Sequence, residues 1–544
     1  MMKTWWKEAV VYQVYWRSFY DTDGDGFGDL EGVIAKLDYL KELGVDVIWL
    51  NPCYESPDVD NGYDISDYYS IMEKAGDMET WERLLEEVHN RGMKLIMDLV
   101  VNHTSDQHPW FLESKSSKDH PKRDWYIWKD PRDGKEPNNW RSYFAPSAWE
   151  YDEQTNQYYM HSFAVEQPDL NWENKEVRHA IYDMMRYWLD KGIDGFRMDV
   201  INLLAKVDGF PDAKKPADLQ YLGNNPGIHE YLQEMNREVL CHYDVMTVGE
   251  IPFVTPEDGA LYVGEDRHEL HTLFHFEVAD DMPSWNMKQF KDIQTRWYEG
   301  LKGKGTNSQF LNNHDHTRQV TRYGNDGTYR EESAKLLATM IHTLPGIPYI
   351  YQGEEIGMTG VRFDSIDDYH DIAMKNKYKE EVEKGRNPKE VFKDLLPLTR
   401  DNSRTPVQWN ATEHGGFTTG KPWMKVNPNY TTINVEENLK EPHSVLHYYQ
   451  QLIRLRKEHP VMVYGEYNDL SIDDDAVYAY TRKNQDTCWL IVLNHADHES
   501  RFHCPEELLT EEPHLLLANY QDVTEKERME DLVLRPYEAR IYQL

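Results

Sequence analysis

Short runs of apolar, often β-branched residues alternate along the chain with longer stretches in which apolar residues recur every three or four positions. The first pattern is typical of buried parallel strands, and the second is typical of amphipathic helices that pack against a sheet. Helical stretches of this kind lie at residues 32–43, 80–91, 176–190, 228–240 and 330–342. The apolar runs predict eight strands, at residues 10–15, 45–52, 93–101, 192–200, 244–250, 273–278, 308–315 and 347–353.

Eight strands that alternate with helices predict an α/β protein built on a closed (β/α)8 TIM barrel. The step from the third strand to the fourth is too long for one crossover helix, so residues 104–171 are predicted to form an inserted subdomain B. A second, charged insertion at about residues 358–408 follows the eighth strand. Short alternating segments predict a C-terminal antiparallel β-sandwich domain over residues 462–544. The catalytic barrel is then assigned to residues 1–103 and 172–461.

The charge of the chain limits its partners. Lys and Arg total 59 against 96 Asp and Glu, which gives a formal net charge of −37 for 544 residues. Such a charge repels polyphosphates and anionic membranes, so we expect neither nucleic acid nor a membrane as a partner. Lys7 and Glu8 interrupt the region where a signal peptide would be uniformly apolar, and we expect a cytoplasmic protein. We expect it to be a monomer or a weak homo-oligomer.

The four cysteines, irregularly spaced and without a C-x-x-C pair, predict reduced thiols and no zinc or redox site. The loop DTDGDGFGD, residues 21–29, instead suggests a metal site. It offers oxygen ligands at alternate positions, as a loop for a hard cation does. The twelfth position is Gly32 and not Glu, so the loop is no complete EF-hand. A solvated acidic turn is the alternative interpretation. No organic cofactor is expected.

Several predicted strands end in acids, at the edge where the active site of such a barrel lies. The segments are NGYD (61–64), DLVVNH (98–103), GFRMD (195–199), TVGE (247–250) and NNHD (312–315). A single acid at a strand end is usually a solvated or capping group, whereas five strand ends with charged or imidazole groups predict one shared polar site. Converging carboxylates repel one another and raise at least one pKa, as an acid/base catalyst requires.

Glycoside hydrolysis uses such a carboxyl pair, one group as nucleophile and the other as proton donor. Asp199 and Glu250 end neighbouring predicted strands, so we expect their carboxyl groups about 5–5.5 Å apart, the separation of enzymes that retain configuration. Arg197 lies two residues before Asp199 and therefore on the same face of the strand. We expect its charge to keep Asp199 ionised, a role compatible with a structural ion pair.

Four of these segments, DLVVNH, GFRMD, VGE and NNHD, resemble in order the core motifs of the α-amylase family of glycoside hydrolases. QPDLNW, residues 167–172, resembles the additional motif of its oligo-1,6-glucosidase subfamily. The resemblance extends from WWKEAVVYQVYWRSF at residues 5–19 to RDNSRTPVQW at residues 400–409, and so covers nearly the whole chain.

The resemblance implies a role for each acid. Asp199 would be the nucleophile, Glu250 the acid/base and Asp315 a ligand of the sugar hydroxyls in the transition state. Asp64 and Arg400 would form the pair that closes the pocket beyond the non-reducing end, which implies an exo-acting enzyme. Substrate-binding roles are also implied for Tyr63, His103, Phe144, Phe163, Gln167, Arg197, Val200 and His314. A structural Ca²⁺ would be held by Asp21, Asp23, Asp25, Asp29 and the carbonyl of Phe27.

Linkage preference depends on Val200, because related enzymes with valine after the nucleophile favour α-1,6 bonds such as that of isomaltose. An α-1,4-glucosidase, a trehalose-6-phosphate hydrolase and a sucrose isomerase would share the same three acids. A non-catalytic, amylase-like binding protein would carry a membrane segment and lack these acids. The chain departs from its family in reading HTR at residues 316–318, IPF at residues 251–253 and YFAPSAW at residues 143–149.

Overall fold

The eight predicted strands form a closed barrel of parallel strands, which confirms the predicted fold. This computed structural model describes residues 4–509, 513–523 and 529–544, so residues 1–3 of the predicted barrel and residues 510–512 and 524–528 of the predicted C-terminal domain lie outside the described residues. The barrel strands β1 to β8 are Val11–Val14, Val47–Leu50, Lys94–Leu99, Gly195–Met198, Met246–Glu250, Thr272–Phe274, Thr306–Gln309 and Ile347–Tyr351.

The barrel closes because β1 pairs with both β2 and β8, with Val11 opposite Val47 on one side and Tyr349 on the other. Inward side chains of alternate positions fill the interior as a packed core, as in other barrels of eight strands. This inner cluster contains Val11, Val47, Trp49, Ile96, Met246, Val248, Phe274, Ile347 and Tyr349.

Amphipathic helices surround the strands and bury their apolar faces against them. The main helices of this outer layer are Leu30–Ala35, Leu37–Leu43, Met78–Asn90, Lys175–Lys191, Ile228–Glu238, Pro256–Val263, Met287–Leu301, Arg330–Thr343 and Val445–Glu458. Shorter helices are Trp5–Glu8, Glu277–Asp281, Gln319–Arg322, Val435–Lys440 and Val461–Tyr464.

Two insertions lie at the carboxyl ends of the strands. The first follows β3 and contains the helix Pro109–Ser116 and an antiparallel sheet of Trp128–Lys129, Gln157–Met160 and Trp149–Asp152. A buried ion pair of 2.7 Å between Lys206 and Asp169 fixes it to the segment after β4. The second insertion follows β8 and contains the helices Ile372–Glu383, Pro388–Leu395 and Asp401–Arg404.

The C-terminal region forms a five-stranded antiparallel sheet in the order Glu466–Asp469, Val477–Lys483, Cys488–Asn494, Ala539–Gln543 and His514–Ala518. The strands Ser500–Phe502 and Leu532–Leu534 form a second, smaller sheet. Lys291 of a barrel helix donates to the carbonyls of Ser471 (2.5 Å), Asp474 (2.8 Å) and Val477 (2.6 Å). Since these bonds use all three N–H groups of the ammonium, the buried lysine anchors the C-terminal sheet to the barrel.

The predicted seventh strand extends too far. β7 ends at Gln309, and Asp315 lies six residues later in a turn. In this turn the side-chain oxygen of Asn313 accepts the backbone N–H of Asp315 at 2.8 Å. Asn side chains compete with a strand ladder in this way, so the polar segment NNHD ends the strand instead of extending it.

Candidate active site

The guanidinium of Arg197 joins three carboxylates at the ends of β3, β4 and β5. Its Nη1 atom donates to Asp98 Oδ1 at 2.6 Å and to Asp199 Oδ1 at 2.7 Å, and its Nη2 atom donates to Glu250 Oε2 at 2.5 Å. The register of β4 and β5, with Arg197 opposite Val248, places Asp199 and Glu250 on neighbouring strand ends. The predicted acid pair therefore lies side by side across a single buried cation.

One positive charge cannot stabilise three carboxylates equally. Burial, together with the negative charges of Glu250 and Asp98, raises the pKa of Asp199 well above its usual value despite the opposing charge of Arg197. Burial also raises the pKa of Asp98 to about 6, against the effect of Arg197. The charge of Arg197 opposes this rise in the pKa of Asp199, in the direction predicted for it, but burial and the two neighbouring carboxylates outweigh its effect.

Asp315 has the opposite electrostatic environment. Burial acts against its ionisation, but His314, Arg404 and Arg400 lower the pKa of Asp315 far below its usual value. Arg404 Nη2 lies 2.6 Å from Asp315 Oδ1, and His314 Nε2 lies 3.1 Å from Asp315 Oδ2. Asp315 is therefore a permanent anion at the wall of the site.

The tautomer of His314 follows from its other contact. Gln13 Nε2 lies 2.8 Å from His314 Nδ1 and also donates to the Oδ1 atom of Asn51 at 2.9 Å, so it is the amide N–H and Nδ1 is the acceptor. The proton of the neutral imidazole is then on Nε2 and points to Asp315. Burial lowers the pKa of His314 to about 3, which keeps the ring neutral. Tyr63 stacks on this ring at 5.3 Å between centroids.

One end of the site is closed by Arg400, from the insertion after β8. Its guanidinium contacts Asp371 at 2.9 Å, Asp60 at 3.2 Å and Asp315 at 3.5 Å. Phe144 of the first insertion lies over the guanidinium, 4.6 Å from its carbon to the ring centroid. These contacts join the loop after β2, the first insertion and the insertion after β8 at one edge of the site.

The structure corrects the predicted partner of Arg400. The carboxylate of Asp64 turns back into its own loop and accepts the backbone N–H groups of Val59 and Asp60, both at 2.9 Å. Burial raises the pKa of Asp64 to about 7, in spite of these hydrogen bonds. Asp60, the first acid of the segment DNGYD, is the one that contacts Arg400. Asp64 therefore shapes the loop that presents Asp60.

The remaining predicted side chains line the same region. His103 Nε2 lies 3.1 Å from the carbonyl of Tyr63, and Gln167 Nε2 donates to Asp60 Oδ2 at 3.2 Å. Phe163 lies beside the rings of His103 at 5.1 Å and Phe144 at 5.5 Å. These contacts connect Asp60, at the Arg400 end of the site, to the motif QPDLNW. The predicted substrate-binding residues named here therefore form one continuous group.

Val200 has an unusual backbone. Its φ of +37° and ψ of +43° lie in the left-handed region, which is strained for a β-branched side chain. In this conformation the Val200 N–H donates to Glu250 Oε2 at 3.2 Å. The residue after Asp199 therefore contacts Glu250 through its backbone, while its side chain packs in the cluster of Tyr143 and Phe163.

A cavity of about 740 Å³ lies beside Asp315. Its volume is in the range of about 300–1,000 Å³ that is usual for ligand pockets. Residues of both the β6 and the β7 loops and of the insertion line it, among them Asp280, His316, Thr317, Arg322, Arg362 and Leu398.

The acidic loop at residues 21–29 lies on the same side of the barrel as the site around Arg197. It forms a separate cluster of acids. Carboxylate oxygens of Asp21, Asp23 and Asp29 lie within 4.8 Å of one another, and Asp25 lies outside this group. The Oδ1 atom of Asp25 instead accepts the backbone N–H of Phe27 at 2.7 Å. Three convergent carboxylates are a donor set that suits a hard divalent cation.

Several functional groups escaped the sequence-based prediction. Asp60 could have been found as the first acid of DNGYD, and Arg404 as the second arginine of RDNSR. Asp371 and Gln13 carry no such signal, because each acts through a partner that is distant in sequence. Asp371 contacts Arg400, and Gln13 sets the tautomer of His314.

Comparison with known proteins agrees with this geometry. Residues 13–465 match the family described as alpha amylase, catalytic domain. The oligo-1,6-glucosidase of Parageobacillus thermoglucosidasius is 54% identical over 560 residues, with 100% of each chain covered. The trehalose-6-phosphate hydrolase of Bacillus subtilis is 48% identical, with 99% of this chain and 98% of that protein covered. The solved isomaltulose synthase from Protaminobacter rubrum has a TM-score of 0.96 and 44% identity, with 100% of both chains covered.

The family match, the glucosidases among the relatives and a (β/α)8 barrel with two carboxyl groups side by side identify the protein as a glycoside hydrolase, as the sequence predicted. The chain belongs to the alpha-amylase catalytic-domain family. Its substrates are small carbohydrates. Among the described residues, no helix combines the length and the apolar character needed to cross a membrane.

Proposed function

We propose that the protein is a retaining exo-α-glucosidase that releases glucose from the non-reducing end of short α-1,6-linked glucosides such as isomaltose. The observation that carries this proposal is the arrangement of Asp199 and Glu250 across Arg197, next to a pocket that Arg400 closes at one end. A blind pocket admits the terminal sugar of a chain and excludes the interior of a polymer.

In the first chemical step Glu250 acts as the acid and donates a proton to the glycosidic oxygen as the bond to the anomeric carbon breaks. Asp199, as the carboxylate, attacks the anomeric carbon from the opposite face and forms a β-glucosyl ester. Arg197 contacts both carboxylates, so it compensates the negative charge on either partner as the proton moves.

The second step reverses these roles. Glu250, as the carboxylate, removes a proton from water, which attacks the anomeric carbon, breaks its bond to Asp199 and releases α-glucose. Asp315 remains ionised throughout, held by Arg404 and His314, and stabilises the positive charge that develops on the sugar ring. Retention of the α configuration follows from the two inversions.

The α-1,6 preference is supported by Val200 after the nucleophile and by the oligo-1,6-glucosidases among the relatives. The test is a comparison of initial rates on isomaltose, maltose, sucrose and trehalose 6-phosphate, with the anomer of the released glucose followed by NMR. We expect isomaltose to be the best substrate and α-glucose to appear first. A clear preference for maltose would exclude the linkage assignment, and initial β-glucose would exclude retention.

A second candidate substrate is a phosphorylated disaccharide. Arg322 and Arg362 line the cavity that begins at Asp315, and the ion pairs found among the described residues include neither of them. Two such arginines suit an anionic substituent on the leaving group, and one relative is a trehalose-6-phosphate hydrolase. Faster hydrolysis of trehalose 6-phosphate than of isomaltose, lost in Arg362→Gln, would favour this candidate.

Removing the charge of Asp60 is expected to weaken substrate binding. In Asp60→Asn the guanidinium of Arg400 loses one of its carboxylate partners at the closed end of the pocket. Hydrogen bonds to charged groups contribute about 1.5–3 kcal/mol, so kcat/KM for isomaltose should fall about 10- to 100-fold, mainly through KM. Steady-state kinetics provides the measurement.

Asp64→Asn is the matched control for Asp60→Asn, since it changes the other acid of the same loop. Asp64 accepts two backbone N–H groups and has no contact with Arg400 in the structure. We expect this variant to lower the melting temperature and to leave KM within about twofold of the wild-type value. If Asp64→Asn raised KM and Asp60→Asn did not, Asp64 and not Asp60 would be the partner of Arg400.

The proposal includes a structural Ca²⁺ at the acidic loop, held by Asp21, Asp23 and Asp29. When bound, the cation would supply charge neutralisation for three acids that repel one another. Chelation by EGTA is expected to lower the melting temperature by several degrees, in proportion to the logarithm of free Ca²⁺. Asp23→Asn should abolish this response, whereas Asp25→Asn should keep it. A melting temperature that is indifferent to EGTA would refute the site.

The cytoplasmic location and the monomeric or weakly oligomeric state remain predictions from the sequence. A size-exclusion measurement with light scattering would report the mass of the particle against the 64.5 kDa of one chain.

A further inference from the structure

His316 is the first residue of the segment HTR. It directly follows Asp315, the carboxylate proposed to stabilise the transition state. Its Nδ1 atom lies 2.9 Å from Asn313 Oδ1, and its Nε2 atom lies 3.3 Å from Asp280 Oδ1. One face of the ring stacks on Phe276, with 5.6 Å between centroids and 24° between the planes. The imidazole is therefore fixed on three sides and cannot rotate freely.

The contact with Asn313 concerns the position of Asp315. Asn313 Oδ1 accepts the backbone N–H of Asp315 at 2.8 Å, so this atom is the amide oxygen. Nδ1 of His316 must then carry a hydrogen and donate it to the same oxygen. One acceptor thus fixes the backbone of Asp315 and the ring of the residue after it, and the ring in turn prevents Asn313 from rotating away.

The contact with Asp280 connects this turn to a second part of the barrel. Asp280 belongs to the helix Glu277–Asp281, which follows β6, whereas Asp315 follows β7. Asp280 and His316 both line the cavity that begins at Asp315. A group that occupies this cavity can therefore contact the outer edge of the imidazole, which carries Nε2. The inner edge, which carries Nδ1, holds the turn that contains Asp315.

We infer that His316 is a positioning residue for Asp315 and that, through its outer edge and Asp280, it also determines which leaving groups the cavity accepts. The two functions use different ring nitrogens, Nδ1 for positioning and Nε2 for selection. This inference rests on the proposed glucosidase activity, because it assigns the cavity to the leaving group.

The two nitrogens can be tested separately, because asparagine places a side-chain amide near the position of Nδ1 and glutamine places one near the position of Nε2. We expect His316→Ala to lower kcat on isomaltose about tenfold, since small displacements of a catalytic group are costly. His316→Asn should restore kcat to within about threefold of wild type but keep an altered KM. His316→Gln should keep the low kcat. Asp280→Asn should change KM for isomaltotriose by a larger factor than it changes kcat.

Measurements of kcat and melting temperature distinguish the positioning role of His316 from the proposed glucosidase function and from a merely structural role of His316. If the wild type hydrolyses isomaltose and His316→Ala keeps full kcat, or His316→Gln restores kcat and His316→Asn does not, the positioning role is excluded and the glucosidase activity stands. If the wild type cleaves no α-glucoside, the proposed function itself fails. A lower melting temperature with unchanged kcat would show that His316 serves only folding.

Discussion

Replacement of Asp199 by asparagine is expected to lower kcat on isomaltose on the order of 10⁴-fold, the loss typical of a removed nucleophile. The amide has nearly the shape of the carboxyl group but cannot form the glucosyl ester. Burial and the charges of Glu250 and Asp98 disfavour the ionised form of Asp199 in the folded protein. Neutralising this group should therefore not lower the melting temperature.

The measurement combines single-turnover kinetics with thermal unfolding. Asp183→Asn is the matched control, because it removes a carboxylate from an exposed position on the helix Lys175–Lys191, where the side chain is 72% accessible. This control should keep wild-type kcat. Turnover of the Asp199 variant above about one per cent of wild type would be incompatible with its role as nucleophile.

Replacement of Glu250 by glutamine is expected to lower kcat on isomaltose about 10²- to 10⁴-fold, as for other general acids. The effect should depend on the leaving group. With α-glucosyl fluoride the departing anion needs no proton, so formation of the glucosyl ester should continue and the ester should accumulate, because the base that activates water is absent. Mass spectrometry of the intact protein would detect the added glucosyl group on Asp199.

The same variant tests the role of Glu250 as the acid. A general acid acts only while it holds its proton. We expect kcat/KM of the wild type on isomaltose to fall on the alkaline side. Ester formation from the fluoride by Glu250→Gln should lack this alkaline fall. An identical fall in both would assign it to another group.

The sequence was informative where local pattern determines structure. Apolar runs located all eight barrel strands, since a strand buried on both faces has few polar residues. Asp199 and Glu250 were assigned as the catalytic pair because they end two of these runs, and the structure places them side by side across Arg197. The same method failed at Asp315, where the polar segment NNHD continues the run in sequence but forms a turn that is held by the side chain of Asn313.

Loop conformation was the second limit. Asp60 and Asp64 flank the same tripeptide, and composition does not show which of them points into the pocket. The decision is made by two backbone N–H groups that bind Asp64 and by Arg400, which lies far along the chain. The sequence likewise did not show that Arg197 contacts Asp98, Asp199 and Glu250 together, because these contacts depend on the distances between three strands.

The ion pair between Asp60 and Arg400 joins residues 340 positions apart. At a synthesis rate of about 5–20 residues per second, a ribosome needs about 17–68 s to travel from one to the other. Asp199, Glu250 and Asp315 are all added within this interval, and Arg400 is added after them. The contact between Asp60 and Arg400 can therefore form only after all three acids have been made, so substrate recognition is among the last properties that translation confers.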